Sequence, residues 1–159
     1  MHRHTLAGSP PASGWRGRLG EAVTRLEGFP DSILKLLLRL GLAGVFFKSG
    51  LTKIASWEFT ILLFRDEYKV PVLPPEVAAT LATAAELTCP VLLALGLATR
   101  LTTLPLLGMT AVIQLFVFPE SWVDHLMWTA MLLVLLTRGP GAISLDRWLA
   151  PLILAPKGR

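Results

Sequence analysis

Residues 75–118 decide the fold. Pro75–Leu97 reads PEVAATLATAAELTCPVLLALGL, and Leu101–Phe118 reads LTTLPLLGMTAVIQLFVF, with only Ala98, Thr99 and Arg100 between them. About 20 apolar residues in a helix cross a ~30 Å hydrocarbon core, and both runs have that length. Pro75 suits a first helical turn, where its missing N–H is not needed. A three-residue link forces the two helices to lie antiparallel as neighbours.

Two more apolar runs flank this pair. Ile33–Leu51 precedes it, entered through Pro30, Asp31 and Ser32. Ser121–Thr137 follows it after Pro119 and Glu120, and ends at Gly139-Pro140-Gly141, where proline cannot continue a helix and glycine suits the turn. The expectation is an all-α membrane protein, an antiparallel four-transmembrane-helix bundle spanning 33–51, 75–97, 101–118 and 121–137. Composition agrees: 53% of the 159 residues are hydrophobic and only 16% charged, against about 25% charged in soluble domains. Three short interfacial segments complete the scheme. The first is Gly17–Gly28. The second is an amphipathic stretch within the long link Thr52–Pro74. The third is a last helix capped by Ser144, with Leu145, Trp148, Leu149, Leu152 and Ile153 on its apolar face. The chain divides into a polar tail (1–31), a membrane domain (32–150) and a C-terminal tail (151–159). The tail shows no apolar core followed by a cleavage site, so no signal peptide is expected.

Basic residues set the orientation. Nine (Arg3, Arg16, Arg18, Arg25, Arg100, Arg138, Arg147, Lys157, Arg159) fall on the side of both termini, and three (Lys53, Arg65, Lys69) on the other. The positive-inside rule then places both termini in the cytoplasm of a bacterial inner membrane. It also accounts for the net charge of +4 without nucleic acid; the lipid bilayer is the expected partner. A single cysteine, Cys89, excludes an internal disulfide or a Cys-x-x-Cys pair. With two of three histidines (His2, His4) on the tail, neither haem nor another metal site is expected.

Polar groups inside apolar spans carry the functional signal, because a charge at a helix centre costs about 2.5–3.5 kcal/mol on insertion scales. Glu86 is central in the second span, on a face of small residues (Ala79, Ala82, Thr83, Cys89, Pro90) that permits close helix contact. Arg39 shares a stripe of the first span with Lys35, Ala43, Phe46, Gly50 and Lys53, and antiparallel packing is expected to pair it with Glu86. That pair is either a structural register device or part of a site that relays protons or binds a polar head group. Gln114, His125 and Trp128 are expected to line a cavity open to the outer side, with Glu86 at its floor. Interfacial roles are the alternative for His125 and Trp128. Lys48, on another face, is expected to snorkel to the head groups.

Three stretches, Arg39–Ile54 (RLGLAGVFFKSGLTKI), Ala82–Leu101 (ATAAELTCPVLLALGLATRL) and Arg138–Asp146 (RGPGAISLD), resemble the DoxX family of small bacterial membrane proteins. The resemblance covers about 33–149. It implies a four-helix membrane bundle, and it transfers the family pattern onto Arg39, Gly50, Lys53, Glu86, Gly96, Arg100, Gly139, Gly141 and Asp146. Gly50, Lys53, Gly139, Pro140, Gly141 and Asp146 are expected to be structural. Some members of the family are associated with quinone-linked sulfur oxidation; others accompany thiol, oxidative-stress or metal-responsive peptide systems. The leading expectation is an accessory subunit of a redox or stress-response system. It would hold a quinone-like amphiphile, with no tightly bound cofactor, while a soluble or membrane partner performs the electron chemistry. Any enzymatic role would be as a quinone-linked oxidoreductase component acting with that partner. The alternatives are a small-solute or metal transporter, which requires a homo-oligomer, and a non-catalytic anchor for a soluble partner.

Overall fold

The computed structural model describes residues 14–154, with side chains described to residue 150. His2, His4, Arg3, Lys157 and Arg159 lie outside the described residues. The described residues divide into two compact units, the boundary falling between Pro30 and Asp31. The described residues of the first form one helix, α1 (Trp15–Glu27), which starts two residues upstream of the expected Gly17.

Within the second unit every described element is helical. α2 (Asp31–Ala55) begins with an Asp31–Lys35 ion pair one turn apart, which supports the first turn. It runs past the expected end, so Lys53 belongs to the helix and not to the link. α3 (Trp57–Leu62) follows, and a π-helical turn over Leu63–Tyr68 continues it. α4 (Pro75–Leu95) starts at the expected proline and stops at Gly96, in the left-handed region at φ +68°. There Leu97 N–H reaches back to the Leu92 carbonyl at 2.9 Å, the closing bond of a glycine-terminated helix. α5 (Thr99–Val112) passes into a second π-helical turn, Ile113–Val117. A single 3-10 turn, Pro119–Ser121, leads into α6 (Trp122–Arg138), and α7 (Leu145–Leu154) ends the described chain.

α2 packs on α4, α4 on α5, α5 on α6, and α6 back on α2. Leu42, Phe46, Cys89, Leu93, Leu106, Leu132 and Leu135 form the core where these helices meet. A second, smaller cluster joins Phe64 to Ala78 and Ala79. The link 52–74 is therefore more than a surface segment: its π-helical turn folds back and buries Phe64 against α4, while Phe59 and Leu62 face outward.

α4 and the continuous segment Thr99–Val117 are long and apolar enough to cross a membrane. α6 has 17 residues. α2 has 25, but Lys35, Arg39, Lys48 and Lys53 interrupt it. Three of those four turn away from the outer surface: Arg39 is buried and Lys35 and Lys53 are mostly so, leaving Lys48 as the exposed one.

Candidate functional site

Gly50 sets how close α2 comes to α4. A Cβ there would lie 2.8 Å from Leu87 Cδ2 and 3.1 Å from Glu86 Cβ, tighter than packed atoms tolerate. Its absence lets the helix backbones approach at the level of Glu86. Ser49 and Lys53, which flank Gly50 on this side of α2, then reach the carboxylate. Ser49 Oγ donates to Glu86 Oε1 at 3.0 Å, Lys53 Nζ donates to the same oxygen at 2.8 Å, and Lys53 also donates to Ser49 Oγ at 2.9 Å. Glu86 Oε2 lies 2.7 Å from Lys53 Nζ but off the hydrogen-bonding direction, and no other donor meets it. Glu86 is 3% exposed and Lys53 17%. A buried carboxylate is thus neutralised by one partly exposed ammonium.

The expected Glu86–Arg39 pair does not form. Gly50 faces Glu86 and Leu87, whereas Arg39 faces Gly96. Eleven helical residues separate these levels, about 16 Å along the axis. Arg39 is 1% exposed and serves the opposite end. Its Nη2 donates to the Ile143 carbonyl at 2.6 Å, and its Nη1 sits where a Gly96 Cβ would be. Lys35 Nζ reaches the Arg138 carbonyl at 3.4 Å and Ser32 Oγ accepts the Ala142 N–H at 3.1 Å. Gly141, at φ +87°, packs against Lys35 and Ser32, and Gly139 turns the chain at φ +74°. Asp146 accepts the Ala98 and Thr99 N–H groups at 2.6 and 2.9 Å, capping α5, while its own N–H binds the Gly96 carbonyl at 2.9 Å. Ser144 does not cap α7 as expected; its hydroxyl donates to the Gly141 carbonyl at 2.8 Å. The stretch 138–146 is a strap tied across this end of the helices.

A cavity of about 250 Å³ opens above Glu86. Of the expected binding residues, Glu86, His125 and Trp128 line it; Arg39 and Gln114 do not. Gln114 stands behind the histidine. Its side-chain NH₂ donates to the Pro119 carbonyl at 3.0 Å, which turns its carbonyl oxygen towards His125 Nδ1 at 2.6 Å. An amide oxygen only accepts, so Nδ1 carries a proton and, in the neutral ring, Nε2 keeps its lone pair. The imidazole is 4% exposed and packs edge-on against Trp128, ring centroids 5.1 Å apart; Trp128 meets Phe46 at 5.5 Å.

The π-helical turns supply the remaining wall. Phe64 and Tyr68 come from the first; Ile113 and Val117 come from the second, which Phe118 follows. Tyr68 packs edge-on between Phe64 and Phe118, at 5.1 and 5.7 Å. Burial, then the charges of Glu67 and Glu86, raise the Tyr68 phenol above its ordinary value. Ser49, Tyr68 and Asp124 line the cavity without having been expected there, and Lys53, expected as a structural residue of the Arg39 stripe, lines it too. For Tyr68 the sequence pattern held no signal.

The cavity is amphipathic. Aromatic and aliphatic walls surround a carboxylate oxygen, an ammonium, a hydroxyl and an imidazole. Ligand pockets in general combine apolar walls with a few polar groups in this way.

The DoxX family model matches residues 34–119. A protein of Haemophilus influenzae (strain ATCC 51907 / DSM 11121 / KW20 / Rd), described as uncharacterized, is 30% identical over 132 residues, which cover 77% of this chain and 87% of that protein. No solved structure matches. The matched stretch holds both the Gly50 approach and the Glu86–Lys53 ion pair, and on this agreement the chain belongs to the DoxX family of membrane proteins.

Proposed function

We propose that the chain is a four-span protein of a bacterial inner membrane that holds the head group of a quinone-like amphiphile above Glu86, as an accessory subunit of a redox or stress-response system. The spans are α2, α4, the segment Thr99–Val117 and α6. All four carry an exposed apolar face: Leu37 and Leu40 on α2, Leu81 and Val91 on α4, Leu104 and Leu115 on the third, Leu126 and Leu133 on α6. Soluble monomers rarely leave so much contiguous apolar surface in water. The charges that break the apolar run of α2 point inward and have partners, apart from Lys48. Both termini lie on the cytoplasmic side by the positive-inside rule, so the cavity faces outward.

The single observation that carries the ligand reading is the cavity itself, where a buried carboxylate and its lysine partner stand under aromatic walls. Its volume of about 250 Å³ falls just under the ~300–1,000 Å³ of pockets that enclose drug-sized ligands. It suits a ring whose tail remains in lipid. Chiefly apolar walls favour such a ring over a hydrated ion, which separates this reading from solute or metal transport. Electron transfer belongs to a partner protein, since the lone cysteine, Cys89, is buried in the core.

The test is a titration of a short-chain quinone into protein in nanodiscs, with Trp128 kept as the sole tryptophan. Quenching should saturate, and Glu86→Gln should weaken it about tenfold, the loss of one hydrogen bond to a charged group. An unquenched Trp128 at saturating quinone would exclude the ligand from the cavity.

A further inference from the structure

The strap, with RGPG (138–141), and the α4–α5 turn, GLATRL (96–101), take no part in the cavity. Between them lies a recess of about 350 Å³, at the end where α5 begins and α6 ends. Arg100 and Arg138 line it from the two helices, and the lining also includes Leu101, Gly139, Pro140 and Asp146. The Arg100 guanidinium packs beside Gly139, 3.7 Å from where a Cβ would stand. Arg100 makes one long hydrogen bond, Nη2 to the Thr137 carbonyl at 3.4 Å, so most of its donors are uncommitted. Asp146 is the one carboxylate in the lining. Both of its oxygens already accept the N–H groups that open α5, and two guanidiniums outweigh it.

The apolar surroundings indicate the source of the anion. Leu101, inside the recess, is 70% exposed. One turn further along, Leu104 on α5 and Leu133 and Val134 on α6 are also exposed. A charged mouth thus opens onto an apolar strip along the α5–α6 pair. A free phosphate has no use for the strip, and an apolar helix has no use for the arginines. A phosphate carrying an acyl chain fits both. Basic pockets between spans on the cytoplasmic side hold anionic head groups in this way.

We infer that the recess between Arg100 and Arg138 is a site for an anionic phospholipid, with the phosphate on the two guanidiniums and an acyl chain along Leu101 and Leu104. This rests on the membrane reading above but not on the quinone, and the two tests read different ends of the protein.

The experiment uses full-length protein, delipidated in detergent. It is titrated separately with phosphatidylglycerol, phosphatidylcholine and inorganic phosphate, and followed by native mass spectrometry and by melting temperature. Phosphatidylglycerol should bind and raise the melting temperature, and phosphatidylcholine should do so weakly. Arg100→Gln and Arg138→Gln should each weaken phosphatidylglycerol binding about fivefold, the ~1 kcal/mol of one basic residue at a membrane surface. Lys48→Gln with Lys69→Gln removes the same charge elsewhere and should leave binding unchanged. If the arginine variants do not fold, the selectivity of the unaltered protein between the two lipids still decides the matter. Equal binding of both lipids would overturn the inference, as would full retention in the double arginine variant. A melting shift reproduced by inorganic phosphate alone would assign the recess to a free anion instead.

Discussion

Removing Lys53 should destabilise the protein far more than removing Lys53 and Glu86 together. In Lys53→Met the Glu86 carboxylate, 3% exposed, would keep only the Ser49 hydroxyl. Breaking a buried pair by deleting one partner costs about 3–5 kcal/mol. The lower figure applies, because Lys53 is 17% exposed beside an open cavity and water can enter the vacated space. Glu86→Leu strands an ammonium that can still hydrate, and should cost about 1–2 kcal/mol. The double variant replaces the pair with apolar groups, which is often close to neutral. The single costs therefore sum to about 4–5 kcal/mol against about 0–1 for the double, a coupling near 4. Independent sites add within about 0.5 kcal/mol. Reversible unfolding in mixed micelles, followed by circular dichroism, measures all three variants. Additivity of Lys53→Met and Glu86→Leu would refute the pairing. The parallel cycle of Arg39→Met and Glu86→Leu should be additive, since about 16 Å of helix separates the two levels.

Tyr68 is the only tyrosine, so phenolate absorbance reports it alone. Its midpoint should lie above the ordinary 10.0, and Glu86→Gln should lower it. A phenol whose folded value is raised contributes stability that is complete below its unfolded value and is lost as pH rises through the folded one. Melting temperature should therefore fall above about pH 10, and fall less steeply in Tyr68→Phe. Gly96→Ala adds a Cβ 2.6 Å from Ser144 Cβ and onto Arg39 Nη1, at φ +68°. It should cost about 2–4 kcal/mol in the same unfolding assay. Gly41→Ala, with nothing within 4 Å, should instead stabilise α2 by up to about 1 kcal/mol. Asp146→Ala removes the acceptor for two N–H groups at the start of α5. It should cost about 1 kcal/mol and speed hydrogen exchange at Ala98 and Thr99.

Long apolar runs joined by short links are legible because helix length and link length follow directly from composition. Glu86 was legible as an inward residue because a face of small residues surrounds it at helical spacing. Its partner was not. Arg39 and Lys53 are fourteen residues apart, about four turns, so periodicity puts both on one stripe and cannot choose between them. The choice is made by depth, through the antiparallel register that sets Gly50 against Glu86 and Arg39 against Gly96. The π-helical turns were hidden for a related reason. A one-residue shift in hydrogen bonding leaves no mark on hydrophobic period, yet it brings Phe64 and Tyr68 back over the cavity. Gln114 was expected to line the cavity, but its bond to the Pro119 carbonyl turns its own carbonyl oxygen onto His125 instead.

Occupancy of the cavity is most directly tested by a photoreactive short-chain quinone cross-linked to the protein in native membranes, with the labelled residues mapped by mass spectrometry. Label is expected on Phe46, Trp128 and the Phe64–Tyr68 turn, competed by unlabelled quinone and reduced by Glu86→Gln. Uncompeted label confined to outward residues such as Leu81, Leu104 and Leu126 would contradict a ligand above Glu86.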